Sequence, residues 1–401
     1  MAAIQTTQSV LSDALLERFR ERAATYDREN RFFDEDFVEL RDAGYLDLPI
    51  PRDLGGPGLS LAEVGREQRR LAAYAPATAL AVNMHFYWTG LAADLRRQGD
   101  ASLEWLLREA AQGEVFAAGH GERGNDLPVM LSTARAERVE AGPDGEPGYR
   151  FWGHKMFGSL TPVWTRLGIH ATWAAPDGAP SGPQVVHAFM PRDTPGYEIK
   201  ETWDTLGMRA TRSDDTILDG AFVPDRYIAR TLPAGQADAF ILGIFAWAGV
   251  GFANVYYGLA QRALDLAVEG AHKRTSLAVS RSMAYHPEVQ HEVAEMALAL
   301  EGCGPQLDRV AEDWAAGVDH GARWPMKIVA AKHNSVEAAK RVVDLAMTIS
   351  GGTGMFKSNE LERLYRDVRC GGFHPANSLW AHEIVGKTAL EIDLGEQPRW
   401  G

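Results

Sequence analysis

A helical pattern of 35 residues, Ala239–Lys273, constrains the fold of this 401-residue chain more than any other feature. Its first half is apolar on every side, which is typical of a helix that is buried all round. The apolar stretch at its start, residues 239–253, is shorter than the ~20 residues that cross a bilayer, and Asn254, Gln261 and Arg262 follow it. We therefore expect a core helix that several neighbouring helices must cover.

The order of hydrophobic patterns predicts three parts. Helical periodicity dominates residues 1–113, short β-favouring runs dominate residues 114–235, and helical periodicity returns over residues 236–401. The expected fold is α+β, with an N-terminal helical domain, a middle β-barrel domain and a C-terminal four-helix bundle. Helices are expected at residues 12–28 (with Ser12 as the N-cap), 37–43, 61–74, 78–98, 239–273, 287–302, 324–350 and 379–392.

Charge and cysteine content narrow the function classes. The net charge of −13 argues against a nucleic-acid or anionic-membrane partner, because both require a basic surface. The two cysteines, Cys303 and Cys370, lack metal-ligand spacing, so we expect reduced thiols, no metal site and a cytoplasmic protein. Residues 1–10 contain no apolar segment of the kind found in secretory signals.

Five short motifs, taken in order, resemble those of the acyl-CoA dehydrogenase superfamily. Each motif alone is weakly specific, but their order and the spacing from residue 351 to residue 367 follow the family pattern. The resemblance spans nearly the whole chain and implies the family fold and a flavin cofactor, FAD, with FMN as the alternative. The motifs lie at residues 116–126, 153–159, 203–211, 258–265 and 351–354.

The same resemblance implies a set of cofactor-binding residues. In the family, an aromatic and a hydroxyl residue of the second motif lie against the flavin near N5, and Phe157 and Ser159 hold these positions here. The last motif receives part of the FAD of a neighbouring subunit, and an arginine after the long helix clamps the pyrophosphate. The implied set is Gly119, Gly124, Asn125, Phe157, Ser159, Arg274, Gly351, Gly352, Thr353 and Gly354.

The catalytic base of the family dehydrogenases is absent from this chain. Those enzymes need a carboxylate within hydrogen-bond reach of the α-proton of an acyl thioester. Counted from Asp367, the usual Glu position is occupied by Pro375. The position that some members use instead falls near Ala248 or Gly249, and neither side chain ionises.

One branch of the superfamily, the two-component flavin monooxygenases, also lacks this base and uses reduced flavin with O₂. His374 resembles a histidine that this branch places beside the flavin, and His85 resembles a second active-site histidine. Histidine can pass a proton near neutral pH, so we predict His374, His85 and Ser159 as catalytic residues. The alternative for each histidine is a hydrogen-bonded core residue, and for Arg274 it is a solvated helix end.

Three functions remain open at this point. The first is a monooxygenase that uses reduced flavin and O₂ on a small organic molecule. The second is an acyl-CoA dehydrogenase with another base, such as His374 or Asp126, and the third is a non-catalytic scaffold. The glycine motif at residues 351–354 favours bound FAD and weakens the third. Expected partners are a small-molecule substrate, a flavin reductase or an electron-transfer protein, and further copies of this chain in a homotetramer.

Overall fold

Helices form the N-terminal part of the chain, as predicted. The computed structural model describes residues 9–143, 145–174 and 182–396, so most of the segment inspected for a secretory signal lies outside it. Ser12 caps the first helix by accepting a hydrogen bond from the Leu15 amide. The α-helices of this part are α1 Asp13–Glu29, α2 Asp34–Asp42, α3 Leu61–Ala72, α4 Pro76–Arg97 and α5 Glu104–Ala110.

The middle part is a mixed β-sheet. Its strands are β1 Phe116–Ala118, β2 Arg135–Val139, β3 Gly148–Gly158, β4 Arg166–Trp173, β5 Gln184–Pro191, β6 Tyr197–Lys200, β7 Asp214–Pro224 and β8 Ile228–Pro233. The strand order is β6-β7-β3-β2-β4-β5-β8, and β1 pairs in parallel with β4. Among the described residues β6 and β8 do not pair with each other, so the expected barrel is an open sheet with two edges.

The C-terminal part is again helical. Its helices are α6 Ala239–Lys273, α7 Pro287–Ala315, α8 Trp324–Ser350, α9 Glu360–Cys370 and α10 Ser378–Ala389. Among the described residues this part has five α-helices, one more than the four expected. The additional helix is α9, which contains Asp367. The expected end of α7 at residue 302 was also wrong, since the helix continues through Pro305. The predicted domain limits, 113/114 and 235/236, fall in the α5–β1 and β8–α6 connections and stay predictions.

The long helix α6 is a core helix, as its composition predicts. By length and composition it is apolar enough to cross a membrane, but 72% of its most apolar 18-residue window is buried inside the fold. It packs against α3, α4, α7 and α8. The contact with α4 needs a glycine, because a Cβ at Gly90 would lie 2.4 Å from the Trp247 ring.

Helix α9 joins the three parts of the molecule. Arg366 forms an ion pair of 2.6 Å with Asp27 of α1. The neighbouring Asp367 accepts a hydrogen bond of 2.5 Å from the Met208 amide, in the segment between β6 and β7. This segment lies so close to α9 that a Cβ at Gly207 would be 2.4 Å from the Arg366 carbonyl oxygen. The segment that follows α9 is therefore held in a fixed position relative to the sheet.

Candidate active site

A chain of three hydroxyl groups fixes Ser159 at the end of β3. Its Oγ lies 2.7 Å from the Ser213 Oγ, which lies 2.7 Å from the Thr211 Oγ1. The Thr211 hydroxyl donates to the Met208 carbonyl oxygen at 2.8 Å. Each hydroxyl has one proton to donate, so Ser213 must donate to Thr211, and Ser159 must donate to Ser213. The Ser159 oxygen therefore presents its lone pairs, and not its proton, to any further partner.

Phe157 stands beside Ser159 as an exposed aromatic ring. Its backbone has a φ of 61°, a conformation that is uncommon for a residue with a large side chain. The ring is 59% exposed and makes an edge contact with Trp203, with ring centroids 6.1 Å apart. The structure therefore brings together the two residues predicted to contact the flavin ring, and the uncovered aromatic face next to a fixed hydroxyl fits a planar cofactor.

His374 lies in the segment between α9 and α10, which we call the His374 loop (residues 371–377). Its ring stacks on Phe252 of α6, with centroids 4.4 Å apart and an interplanar angle of 10°. Its Nε2 lies 2.8 Å from the Tyr256 hydroxyl, one helical turn further along α6. Burial, assisted by the positive charge of Lys332, lowers the pKa of His374 to about 3. The imidazole is therefore neutral at physiological pH.

His85 occupies a structural position, which does not support the catalytic role predicted for it. The ring is 1% exposed. The Phe116 amide donates to Nδ1 at 3.1 Å, so Nε2 carries the proton and donates to the Leu46 carbonyl oxygen at 3.2 Å. Burial lowers the pKa of His85 to about 4. Both ring nitrogens are occupied by backbone groups, and this neutral imidazole joins α4 to β1 and to the segment after α2.

The loop that precedes β2, residues 119–131, is organised by a buried carboxylate that the sequence reading missed. The Glu122 carboxylate forms an ion pair with Lys155 of β3, and both side chains are buried. Burial opposes this charge, but Lys155 and the hydrogen bonds outweigh it and lower the pKa of Glu122. The other donors to Glu122 are the Ser132 hydroxyl, the Thr133 and Ala134 amides and the Asn125 side chain.

The predicted cofactor residues of this loop stabilise its conformation. The Asn125 amide nitrogen donates to Glu122 and to the Leu131 carbonyl oxygen, while its oxygen accepts from the Leu127 amide. Gly124 is exposed and adopts a φ of 74°, which glycine accommodates without strain. The Gly119 amide donates to the Gly168 carbonyl oxygen at 2.8 Å, which fixes the loop to β4. These residues position the loop, and their contact with a cofactor stays a prediction.

A cluster of buried neutral histidines lies behind this loop. His120 lies 3.3 Å from the Tyr87 hydroxyl, and its ring is 5.1 Å from that of His170, which stacks on His187 at 5.8 Å. Burial is the main cause that lowers the pKa of all three. The described residues contain no group of three or more His, Cys, Asp or Glu side chains with metal-binding geometry. The lowered pKa values leave the three rings uncharged at neutral pH, and His170 lies 3.9 Å from the Glu122 carboxylate.

The second group of predicted cofactor residues lies at the opposite end of α6. Arg274 follows the last residue of α6 and lies close to Gly351. Its Nη1 is 3.8 Å from the position that a Cβ added to Gly351 would occupy. Gly351, Gly352 and Thr353 are exposed, and the Thr353 hydroxyl donates to the Ser350 carbonyl oxygen at 2.8 Å. The structure thus brings Arg274 and the 351–354 motif together, as the resemblance implies.

The loop at residues 119–131 and Arg274 are separated by most of the length of α6. The loop at residues 119–131 contacts the start of the helix, since Leu127 and Met130 pack with Trp380, whose ring lies 5.2 Å from Phe245. At 1.5 Å per residue, the helix between Phe245 and Arg274 spans roughly 40 Å. A cofactor held by this loop would therefore meet Arg274 of its own chain only over this distance.

No carboxylate replaces the missing base on the His374 loop. Pro375 is exposed beside His374, and Gly249 of α6 faces Ile328, whose side chain would lie 3.1 Å from an added Cβ. The nearest helical acid, Asp367, is buried and accepts from the Met208 amide. Sequence reading found His374 but missed Tyr256 and Lys332, which contact it. Tyr256 lies one turn from Phe252 on a mostly apolar stretch of α6. This spacing places both side chains on the same face of the helix and is the one sequence signal for a role of Tyr256.

Sequence comparison identifies two matching domains. Residues 4–103 match the family description "Acyl-CoA dehydrogenase, N-terminal domain". Residues 250–378 match "Acyl-CoA dehydrogenase, C-terminal domain". The second match includes Phe252, Tyr256 and the whole His374 loop.

Relatives of this chain include both dehydrogenase-like and oxygenase-like proteins. A putative acyl-CoA dehydrogenase of Bacillus subtilis, YdbM, is 30% identical over 90% of this chain and 91% of its own length. The amino sugar nitrososynthase RubN8 of Streptomyces rubradiris is also 30% identical, over 90% of this chain and 84% of its own. The structure of KijD3 in complex with FMN and a dTDP-linked amino sugar has a TM-score of 0.79 and 25% identity, covering 96% of this chain and 93% of that one.

Proposed function

Because this chain belongs to the acyl-CoA dehydrogenase superfamily and is a flavin-dependent oxidoreductase, we propose that it acts as a monooxygenase on a small organic molecule. In such a reaction one oxygen atom of O₂ enters the substrate and the other leaves as water. The two electrons come from reduced flavin, which is oxidised. The residues predicted to hold the flavin are those around Ser159 and, at the far end of α6, Arg274 and the 351–354 motif.

The observation that carries this proposal is the pairing of His374 with Tyr256. The position beside the lost Glu is occupied by a neutral imidazole whose Nε2 lies 2.8 Å from a buried phenol hydroxyl. A neutral imidazole can accept a proton on one nitrogen while it holds a hydrogen bond on the other. Such a pair suits movement of a proton at an oxygen or nitrogen atom, whereas removal of the α-proton from the carbon of a thioester needs a stronger base.

The polarity of the hydroxyl chain supports the use of reduced flavin. The hydrogen-bond order from Thr211 to Ser159 leaves the Ser159 oxygen as an acceptor. The N5 atom of a reduced flavin carries a hydrogen, whereas the N5 atom of an oxidised flavin does not. An acceptor at this position therefore favours the reduced form, which is the form that a monooxygenase presents to O₂.

The chemistry of the relatives suggests an amine as the substrate class. RubN8 is named an amino sugar nitrososynthase, and the structure of KijD3 contains FMN and a dTDP-linked amino sugar. We propose oxygen transfer to an amine nitrogen as the first reaction to test. Proton removal from the nitrogen would fall to His374, and Phe252 would shield one face of that imidazole from water.

The assembly we propose is a homotetramer in which one flavin contacts two chains. The separation of the loop at residues 119–131 from Arg274 along α6 supports this, since neighbouring chains can supply one of these elements each. Large apolar side chains of the C-terminal part are also exposed in the single chain, and a second copy would cover them. They are Met355, Phe356, Phe373, Leu379 and Leu390. We propose a cytoplasmic protein that obtains its reduced flavin from a separate reductase.

Oxygen incorporation tests the proposed function directly. Purified protein would be mixed with chemically reduced FAD or FMN, ¹⁸O₂ and dTDP-linked amino sugars, and the products analysed by mass spectrometry. We expect a mass gain from one ¹⁸O atom per oxygenation and none without reduced flavin. Oxidation of reduced flavin that yields only hydrogen peroxide with every amine tested would refute the amine assignment.

An acyl-CoA dehydrogenase is the second candidate, and the 30% identity to YdbM favours it. Anaerobic titration of the oxidised holoprotein with acyl-CoAs of increasing chain length distinguishes the two functions. Loss of the visible flavin absorbance with any of them would overturn the monooxygenase proposal. A failure to bind flavin in either redox state would favour the non-catalytic scaffold.

A further inference from the structure

A buried lysine on α8 holds the backbone of the His374 loop. The Lys332 side chain is 2% exposed, and its Nζ donates to the carbonyl oxygens of Ala376 at 3.0 Å, Gly371 at 3.3 Å and His374 at 3.4 Å. An ammonium group has three protons, so these three acceptors match its donors one to one. One side chain therefore joins both ends and the middle of the loop.

The loop needs such support because it contains a strained residue and unpaired helix-end carbonyls. Ala376 adopts a φ of 57°, a left-handed conformation that is costly for a residue with a Cβ. Gly371 follows the last residue of α9, where carbonyl groups lack partners inside the helix. Lys332 bonds to the carbonyl oxygens of both residues, so it stabilises the loop where its backbone is least favourable.

Lys332 and two residues of α6 together hold both the ring and the backbone of His374. The ring is held by the stack on Phe252 and the hydrogen bond to Tyr256. The backbone of the same residue is held by Lys332. Ring and backbone are thus anchored to two different helices, α6 and α8, and the position of the imidazole follows from the packing of these helices.

The lysine also acts on the charge of the imidazole. A buried positive group nearby disfavours a second positive charge, and Lys332 is the charged group that lowers the pKa of His374 beside the effect of burial. Burial lowers the pKa of Lys332 itself to about 8. The other charged groups that act on Lys332 are Glu337 and Lys340, both on α8.

We propose that Lys332 is a positioning residue for the reaction, which holds the His374 imidazole in place through its three hydrogen bonds to the backbone of the His374 loop. This inference rests on the proposed function only in assigning His374 to the chemistry. The anchoring of the loop by Lys332 can be tested whether or not the protein is a monooxygenase.

Replacement of the ammonium group tests the anchoring. In Lys332→Met we expect amide hydrogen exchange of peptides covering residues 371–377 to accelerate by about tenfold or more, since three hydrogen bonds are lost. Lys327→Met is the matched control, because Lys327 lies partly exposed on the same helix, and it should leave the exchange unchanged. Unchanged exchange in Lys332→Met would overturn the proposal even if the wild-type protein shows no oxygenase activity.

The effect on the imidazole is tested with the active holoprotein. In Lys332→Met we expect turnover to fall about tenfold or more while flavin affinity changes less than about threefold. The acid limb of the pH–rate profile should move to higher pH, because removal of the positive charge raises the pKa of His374. A fall in turnover with an unmoved acid limb indicates a merely structural residue and refutes the proposal.

A second variant covers the case in which Lys332→Met does not fold. Lys332→Gln keeps two N–H donors but carries no charge, so it should retain more protection of residues 371–377 than Lys332→Met. If both variants are unfolded by circular dichroism, Lys332 is required by the core and the positioning role is refuted. Absence of flavin-dependent turnover in the wild type would instead refute the proposed function, and the exchange data would still decide the role of Lys332.

Discussion

The buried pair of Glu122 and Lys155 gives the sharpest prediction about the loop at residues 119–131. In Glu122→Gln the side chain keeps its shape but loses its charge, so the Lys155 ammonium remains buried without a carboxylate. The new amide group also faces donors that previously met an oxygen atom, among them the Thr133 amide. The substitution therefore leaves the Lys155 charge unpaired in the interior and places hydrogen-bond donors of the new amide opposite N–H groups that need an acceptor.

The magnitude follows from the contacts of the carboxylate. Removal of one partner of a buried ion pair costs about 3–5 kcal/mol. Lys155→Met should cost less, about 1–3 kcal/mol, because Glu122 keeps four other hydrogen-bond donors, from Ser132, Thr133, Ala134 and Asn125. In the double variant Glu122→Gln/Lys155→Met no unpaired ammonium remains. Its loss of stability should therefore be about 2 kcal/mol smaller than the sum of the losses in the two single variants.

Thermal unfolding of the four proteins measures these costs. With an unfolding entropy of about 2.1 cal/mol/K per residue, Glu122→Gln should lower the Tm by roughly 4–6 °C. Glu198→Gln is the control, since Glu198 pairs with Lys200 on the exposed edge strand β6 and should change the Tm by less than about 1 °C. Flavin affinity, followed by fluorescence, should fall in Glu122→Gln, because the loop carries residues predicted to contact the cofactor.

Two results would refute this reasoning. One is a Tm of Glu122→Gln within 1 °C of the wild type, which would show that the ion pair contributes little to the fold. The other is strict additivity in the double variant, which would show that Glu122 and Lys155 act independently.

Three further predictions concern the active site and the core. His374→Ala should leave flavin affinity nearly intact and abolish turnover, and unchanged turnover would exclude His374 from the chemistry. Asp94→Ala should destabilise the protein by about 3–6 kcal/mol, because the carboxylate accepts from the indole nitrogens of Trp247 and Trp314 at 2.7 Å; a loss below 1 kcal/mol by denaturant unfolding would contradict this. The free energy of unfolding should fall as the pH drops from about 6.5 towards 4. Burial lowers the pKa of His85 in the folded protein to about 4, so the unfolded chain binds a proton at this histidine first. A Tm that does not change with pH in this range would contradict this prediction.

The sequence predicted the helices that are governed by periodicity. The bounds of α6 and α8 were correct at both ends, because an apolar pattern and clear terminal residues define them. The continuation of α7 through Pro305 was not predictable, since glycine and proline at residues 302–305 indicate a break locally. Tertiary packing against α8 overrides that local preference.

Motifs suffice to propose the candidate site from the sequence, whereas the contacts that packing creates around it are not visible there. Ser159 and Phe157 lie together as their motif implies, whereas His85 proved to be a backbone-bonded core residue. The resemblance points to His85 and His374 alike, and only the contacts of each ring in the fold distinguish them. The roles of Glu122, Tyr256 and Lys332 depend on contacts between residues far apart in the chain, which periodicity and spacing do not reveal.

The hydroxyl chain from Thr211 to Ser159 has a thermodynamic consequence. A site that binds reduced flavin more tightly than oxidised flavin raises the midpoint potential of the bound cofactor, by about 30 mV for each tenfold difference in affinity of a two-electron couple. At the predicted flavin site Thr211 would set this preference, because its hydrogen bond to Met208 fixes the donor order of Ser213 and Ser159. A Thr211→Val change would free Ser213 and Ser159 to reverse their donors, so we expect it to lower the midpoint potential of a flavin bound at Ser159.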